Sequence, residues 1–321
     1  MKIKKFYMAA LAAAVLAGCS NDDEVAGVQK NVLPEDGVIR LEAGINGMNT
    51  RAVGYTTDEL TELGLFVKNS NDTYTYNNVY MKKDGSGTWA SYESDGTTSW
   101  MMLWQSESAA VNVTAYAPYD ATATLDGTIT GTVESNQTME GNGRKSDALY
   151  AKSTVTPNAP STSEDIYYNV DTQKLNVKMN HALSKLTVNI RYGTEMTQGD
   201  TTPSLASVTL GGTLTGYSLK LADGSVNASG SKPDIMMMLS DATVANYNKS
   251  AEAILVPQKA AFTITVIVDG RTFVYNNKAD FDFNSGNAYT LNLLVGKDIV
   301  NIGGITASPW TTNEEGSLET E

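Results

Sequence analysis

Val38-Ile39-Arg40-Leu41-Glu42-Ala43-Gly44-Ile45-Asn46-Gly47-Met48-Asn49-Thr50-Arg51-Ala52 is the stretch on which the fold turns. Ile39, Leu41, Ala43 and Ile45 recur every second residue, while Arg40 and Glu42 take the intervening positions. A period of two is the mark of a half-buried β-strand, with one face on a core and one in water. Gly44, Gly47 and Asn49 then loosen the chain, and Arg51 follows within the loose part. Exposed polar loops are where proteases cut. The stretch therefore reads either as an ordinary first strand followed by a surface arginine, or as a removable strand (residues 38–51) followed by a cleavage site between Arg51 and Ala52.

Outward toward the N-terminus, Lys2, Lys4 and Lys5 precede an apolar, Ala-rich run from Phe6 to Ala17. A basic start and a short apolar run make a secretory signal, too short for a membrane span. Leu16-Ala17-Gly18-Cys19 closes it as a bacterial lipobox, so residues 1–18 are expected to be removed and Cys19 acylated, giving an outer-membrane lipid anchor. Cys19 is the sole cysteine of the 321 residues. Once acylated it leaves no thiol for disulfides or catalysis. Residues 19–37 begin with the acidic cluster Asp22-Asp23-Glu24 and read as a tether.

The formal charge is −13. Removing residues 1–18 strips three lysines and makes the chain more acidic still. That balance excludes nucleic acid and electrostatic adhesion to anionic lipid, and suits surface display.

Toward the C-terminus the composition reads all-β. Thr, Ser, Asn, Gly and Tyr are abundant, only 18% of residues are charged, and short alternating runs are broken by turn residues. The length fits two domains. We place them at residues 38–180 and 181–321. Within the first, the spacing predicts strands at Leu63–Val67, Ala109–Ala117, Asp147–Ala151 and Lys174–Met179, a second apolar run at Trp100–Trp104, and long loops with one hairpin between Asp120 and Asn142. Within the second, Leu186, Val188 and Ile190 alternate with Thr187, Asn189 and Arg191. Asp223-Gly224 and Asp269-Gly270 are hairpin turn signals. Met236-Met237-Met238 is expected in one strand. Two short strands are expected around Gly303-Gly304, and Ile302, Ile305, Ala307 and Trp310 could form a donor strand within residues 299–310. The alternative is a last strand paired within its own domain, with Trp310 as a core anchor.

Chemistry-bearing constellations are sparse. His181 is the one histidine, best read as structural. No Gly-rich phosphate loop, Walker motif or zinc-protease motif occurs, and no pair of carboxylates stands out. The reading is of a non-enzyme without cofactor, metal or catalytic residues. Tyr74, Tyr76, Trp89, Tyr92 and Trp100 suggest stacking on sugars, or core packing. Asp200-Thr201-Thr202 fits a short O-glycosylation pattern.

Several of these motifs in order resemble the Bacteroidetes fimbrillin family of type V pilus subunits. They are the lipobox at Cys19, Thr50-Arg51-Ala52, Ser146-Asp147-Ala148-Leu149-Tyr150-Ala151 and His181-Ala182-Leu183-Ser184-Lys185-Leu186. Ile254-Leu255-Val256-Pro257-Gln258, Phe283-Asn284-Ser285-Gly286-Asn287-Ala288-Tyr289-Thr290-Leu291 and Ile305-Thr306-Ala307-Ser308-Pro309-Trp310 complete the set. The resemblance implies two transthyretin-like β-sandwich domains in tandem. It also implies export as a lipoprotein, cleavage by an extracellular arginine-specific protease, and polymerisation into an extracellular fimbrium by β-strand exchange. Expected partners are other copies of the chain or related pilus subunits, and a host protein or glycan receptor. Possession of both Arg51 and an extended C-terminus favours a stalk subunit. The competing reading is a surface adhesin or glycan-binding β-sandwich lipoprotein that does not polymerise.

Overall fold

A computed structural model describes residues 31–46, 54–139, 141–197 and 202–310. Among them, one five-residue α-helix and one short 3-10 turn accompany twenty strands. The removable-strand alternation is realised as Leu41–Ile45. It lies parallel to Lys174–His181, with Leu41 opposite Leu175, Ala43 opposite Val177 and Ile45 opposite Met179. In-register pairing puts apolar residues of both strands on one face. Ile39 and Leu41 are buried, and Ala43 and Ile45 pack half-buried against the same core.

The first half is built on one hydrogen-bonded series. From one edge it runs Leu41–Ile45, Lys174–His181, Leu149–Val155, Val111–Ala117, Glu62–Lys68, Tyr76–Lys83 and Trp89–Tyr92. Lys174–His181 is the hinge of this series. Its end (Asn180, His181) pairs with Leu149–Val155, while its body is flanked by the first strand and by Ile166–Asn169. Side chains from both parts meet in one buried cluster running from Ile39 to Met179. Gly64 is required in this sheet. A Cβ there would fall 2.1 Å from the Tyr116 ring.

The second half stacks two sheets. One runs Met238–Asp241, Lys249–Leu255, Ser184–Tyr192, Asn287–Val295 and Ile299–Pro309. The other runs Ile235–Met236, Leu205–Gly211, Gln258–Val268 and Arg271–Phe283. The alternation in Ser184–Tyr192 buries Leu186, Val188 and Ile190 completely. A third sheet joins Val226–Ser229, Gly216–Lys220 and Thr128–Thr132. The chain is thus all-β, with two transthyretin-like β-sandwiches in tandem.

Several local expectations change. Residues 120–142 form no hairpin. Thr128–Thr132 pairs instead with Gly216–Lys220, far along the chain. Ile129 and Val133 belong to the second buried cluster, together with Phe66 and Tyr116. Trp100–Trp104 is not a regular strand. It makes one bridge, Leu103 to Val38. The Met236–Met238 run divides between two strands in different sheets, with Met237 fully buried where the chain crosses. Ile299–Pro309 is one strand carrying a bulge, not two. Gly303 and Gly304 hold φ of +92° and +82° in that bulge, a conformation L side chains avoid.

Candidate functional site

The segment from Gly37 to Asn46 occupies a sheet edge and is held by backbone bonds. Ile39 N donates to Met102 O (2.8 Å) and Trp104 N to Gly37 O (2.9 Å). Leu175 N then donates to Arg40 O (2.7 Å), and Asn46 N to Met179 O (2.8 Å). Beneath lie Trp104 and Tyr168, packed edge to face at 5.2 Å. The Tyr168 hydroxyl donates to Val32 O at 2.7 Å. Polar contacts fasten both ends. Arg40 pairs with Asp36, and the Asn46 amide donates to Asn180 Oδ1 at 2.8 Å. The Glu42–Lys174 ion pair is exposed and adds little.

Leu41–Ile45 pairs with a strand on one flank; on the other it has the Thr57 hydroxyl, which accepts from Ile45 N at 3.1 Å, and residues 37–39 ahead of it bond Met102 and Trp104. Removing it would uncover the backbone edge of residues 174–179 and the apolar groups under Ile39 and Leu41. A bare edge of that kind templates a new strand. Asn46 and Gly54 bracket the connection that carries Arg51. Arg51 and Ala52 themselves lie outside the described residues, as do Cys19, the signal peptide and Thr201.

The last strand also occupies an edge, antiparallel to Asn287–Val295. Of the donor-strand candidates, Ile302 and Ile305 are half-buried, Ala307 is exposed and Trp310 is buried. The Trp310 ring stacks on His181 at 3.8 Å and 7°. His181 Nδ1 lies 2.8 Å from Asp147 Oδ2, which also accepts the backbone N–H of Tyr55 at 3.0 Å. Asp147 is fully buried, and its Oδ1 has no partner. Tyr55 and Tyr217 are both pushed up to about 12, first by burial and then by the Asp147 charge.

Motifs far apart in sequence converge on this junction. Gly286 N donates to Leu183 O (2.9 Å), and Ser285 Oγ to Ala182 O (2.6 Å). The Gln137 side chain pairs like a strand with both the N–H and the C=O of Ile254. The sequence yields each of these motifs but not their meeting, because the period of a strand does not name its partner. Met102, Trp104 and Tyr168 under the first strand escape sequence reading for the same reason.

Of the aromatic residues suggested for sugar stacking, Tyr74, Tyr92 and Trp100 are half-buried. Tyr76 and Trp89 are core residues, and Trp100 packs edge-on against Tyr76. Tyr92 lies 5.6 Å from the Lys82 ammonium. Among the described residues no group of three His, Cys, Asp or Glu side chains could hold a metal ion.

Solved structures with the same architecture include proteins of Bacteroides species. A proposed cell adhesion protein of Bacteroides ovatus superposes with a TM-score of 0.59 at 18% identity, covering 84% of this chain and 95% of that one. A proposed cell adhesion protein of Bacteroides uniformis gives 0.54 at 17%, covering 87% and 100%. A fimbrial protein of Bacteroides vulgatus gives 0.50 at 14%, covering 85% and 99%. At these identities the likeness is one of fold. A search of curated proteins finds no match. The fimbrillin-like family profile matches residues 50–310, from the connection after the first strand to the buried Trp310. The chain belongs to the fimbrillin-like family.

Proposed function

We propose that the chain is a structural subunit of a type V pilus, of the stalk kind, that assembles by β-strand exchange. It reaches the surface as a lipoprotein acylated at Cys19. An arginine-specific extracellular protease cuts between Arg51 and Ala52. The strand of residues 38–51 leaves, and residues around 299–310 of another copy or a related subunit fill the groove. Two sandwich domains, residues 38–180 and 181–321, carry the two halves of this exchange. A host protein or glycan is the receptor of the finished fimbrium.

The observation that carries the reading is the edge position of Leu41–Ile45. It is short, paired on one flank, and sits on a groove whose inner face is apolar. Four apolar donor side chains would contribute roughly 6–12 kcal/mol before ordering costs, at about 1.5–3 each. Until the cut, the tethered first strand outcompetes any donor through its high effective concentration. The second reading, a surface adhesin that does not polymerise, is favoured by one fact: the last strand is already paired in its own sheet and pinned by Trp310.

Limited digestion with an arginine-specific protease separates them. Exchange predicts a new N-terminus at Ala52 followed by ladders of oligomers, none from an Arg51→Ala chain, and loss of assembly when the chain stops at Gly303. A cut chain that stays monomeric at high concentration sinks the exchange reading.

A further inference from the structure

The chain just downstream of the proposed cut and the end of the last strand rest on the same buried pair. Tyr55 N–H and His181 Nδ1 both bond Asp147 Oδ2, and the imidazole face carries the Trp310 indole. With a carboxylate as the acceptor, Nδ1 is the protonated nitrogen of that ring. Gly54 closes the arrangement from the other side. It holds φ at +115°, and a Cβ placed there would come within 2.9 Å of Asp147 Oδ2 and 3.3 Å of Trp310 Cζ2. So the backbone of residue 54 packs directly on both ends of the relay.

Trp310 matters because, beside the backbone pairing of residues 306–309 with Asn287–Thr290, it is the buried side chain that anchors that end of the last strand. From Thr306 to Pro309 the side chains are exposed, and Trp310 is the next buried one. Its N–H donates to Gly286 O at 2.6 Å, and the Lys185 ammonium stands 5.9 Å from its ring, paired in turn with Glu252.

We propose that Asp147, His181 and Trp310 form a latch that keeps the last strand in its own sheet for as long as Gly54–Tyr55 stays docked. The inference rests on the strand-exchange reading and supplies its regulation. A cut after Arg51 unties Gly54–Tyr55 from the first strand. The latch then loses the backbone that walls Trp310 in and one of the two donors that orient Asp147. Removing a strand at one sheet edge thereby loosens the strand at the other, and donor and groove become available in the same step. Asp147 and His181 are positioning residues in this scheme, acting through Trp310.

Hydrogen exchange on the intact, uncut chain tests the latch apart from assembly. Gly54→Ala presses a Cβ from the N-terminal side onto Asp147 Oδ2, Ile254 Cδ1 and Trp310 Cζ2. It is expected to speed exchange of the amides of residues 305–308 and 310 at least tenfold, while the amides of Leu186, Val188 and Ile190 keep their protection. Trp310→Ala is expected to speed exchange of the Tyr55 amide to a similar degree, and Trp310→Phe to restore it to within about threefold. Should Gly54→Ala fail to fold, the Trp310 pair decides alone. Exchange at residue 55 that is indifferent to Trp310→Ala overturns the latch, as does unchanged exchange at residues 305–308 and 310 in a folded Gly54→Ala chain. A cut chain that fails to assemble but shows this coupling would sink the exchange reading and leave the latch standing.

Discussion

Asp36 and Arg40 tie down the approach to the first strand. The Arg40 guanidinium, helped by the backbone N–H of Val38, holds the Asp36 carboxyl at about 2, below its ordinary 3.8. A carboxyl lowered on folding stabilises the fold at pH values above its ordinary one. That contribution fades as acid takes the group through its folded value. The window for this contact is therefore between roughly pH 4 and pH 2. An NMR titration should find the Asp36 carboxyl titrating near 2, returning toward 3.8 in Arg40→Ala; an unchanged midpoint in the variant would show that Arg40 is not the cause. Leu41 acts through packing instead. It is 3% exposed at the start of the strand. Leu41→Ala should cost about 2–5 kcal/mol in urea unfolding of the intact chain, because the groove beneath cannot collapse to fill the gap. A loss near zero would mean the strand is not seated as described.

At the level of elements, what was legible in the sequence was periodicity, and what was hidden was partnership. Ile39, Leu41, Ala43 and Ile45 announce a strand and its buried face, and the structure keeps both. Nothing in those residues says that the neighbour is Lys174–His181, more than a hundred positions on, or that the pairing is parallel. Thr128–Thr132 shows the same limit more sharply. Its Gly-rich surroundings suggest a local hairpin, yet Gly131 is there because the Tyr217 ring of the distant partner would meet a Cβ at 2.3 Å. The Met236–Met238 run fails as one strand because Met237 turns into the core between two sheets. The site was legible to a similar depth. His181 reads as a structural histidine, but its contacts with Asp147 and Trp310 arise from three separate segments. The element-level prediction follows from the parallel register. A synthetic peptide of residues 38–46 added to cut chain should suppress oligomer ladders in proportion to dose, and a peptide with Leu41→Asp should not. Equal suppression by both peptides would show that the effect is unrelated to strand pairing.

For the whole molecule the question is whether two sandwiches can act as one body. Connections of several kinds cross between them. Thr128–Thr132 adds a strand to Gly216–Lys220. The Tyr150 hydroxyl donates to Leu221 O at 3.0 Å, and the Lys152 ammonium to Ala222 O at 2.6 Å. Gln137, 1% exposed, bonds Ile254 O and Ile254 N at 2.8 Å each. Phe66 and Tyr116 of the first half sit in the buried cluster of the second. Contacts between domains are more often small and polar, which permits relative motion. Here they include fully buried apolar groups and a side-chain amide that completes a strand. Under the proposed strand exchange a subunit would carry tension from its groove to its donor strand, and a joint of this kind would transmit force without hinging. The intact chain should therefore unfold in one calorimetric transition, with calorimetric and van 't Hoff enthalpies equal. Gln137→Ala attacks the joint at its most buried point. It leaves one N–H and one C=O of residue 254 unpaired, each costing about 1–3 kcal/mol. The transition should move to lower temperature as a single peak if the halves are one cooperative unit. Two resolved peaks in the unmodified chain would refute that unity, and a Gln137→Ala chain as stable as the parent would remove residue 137 from the joint.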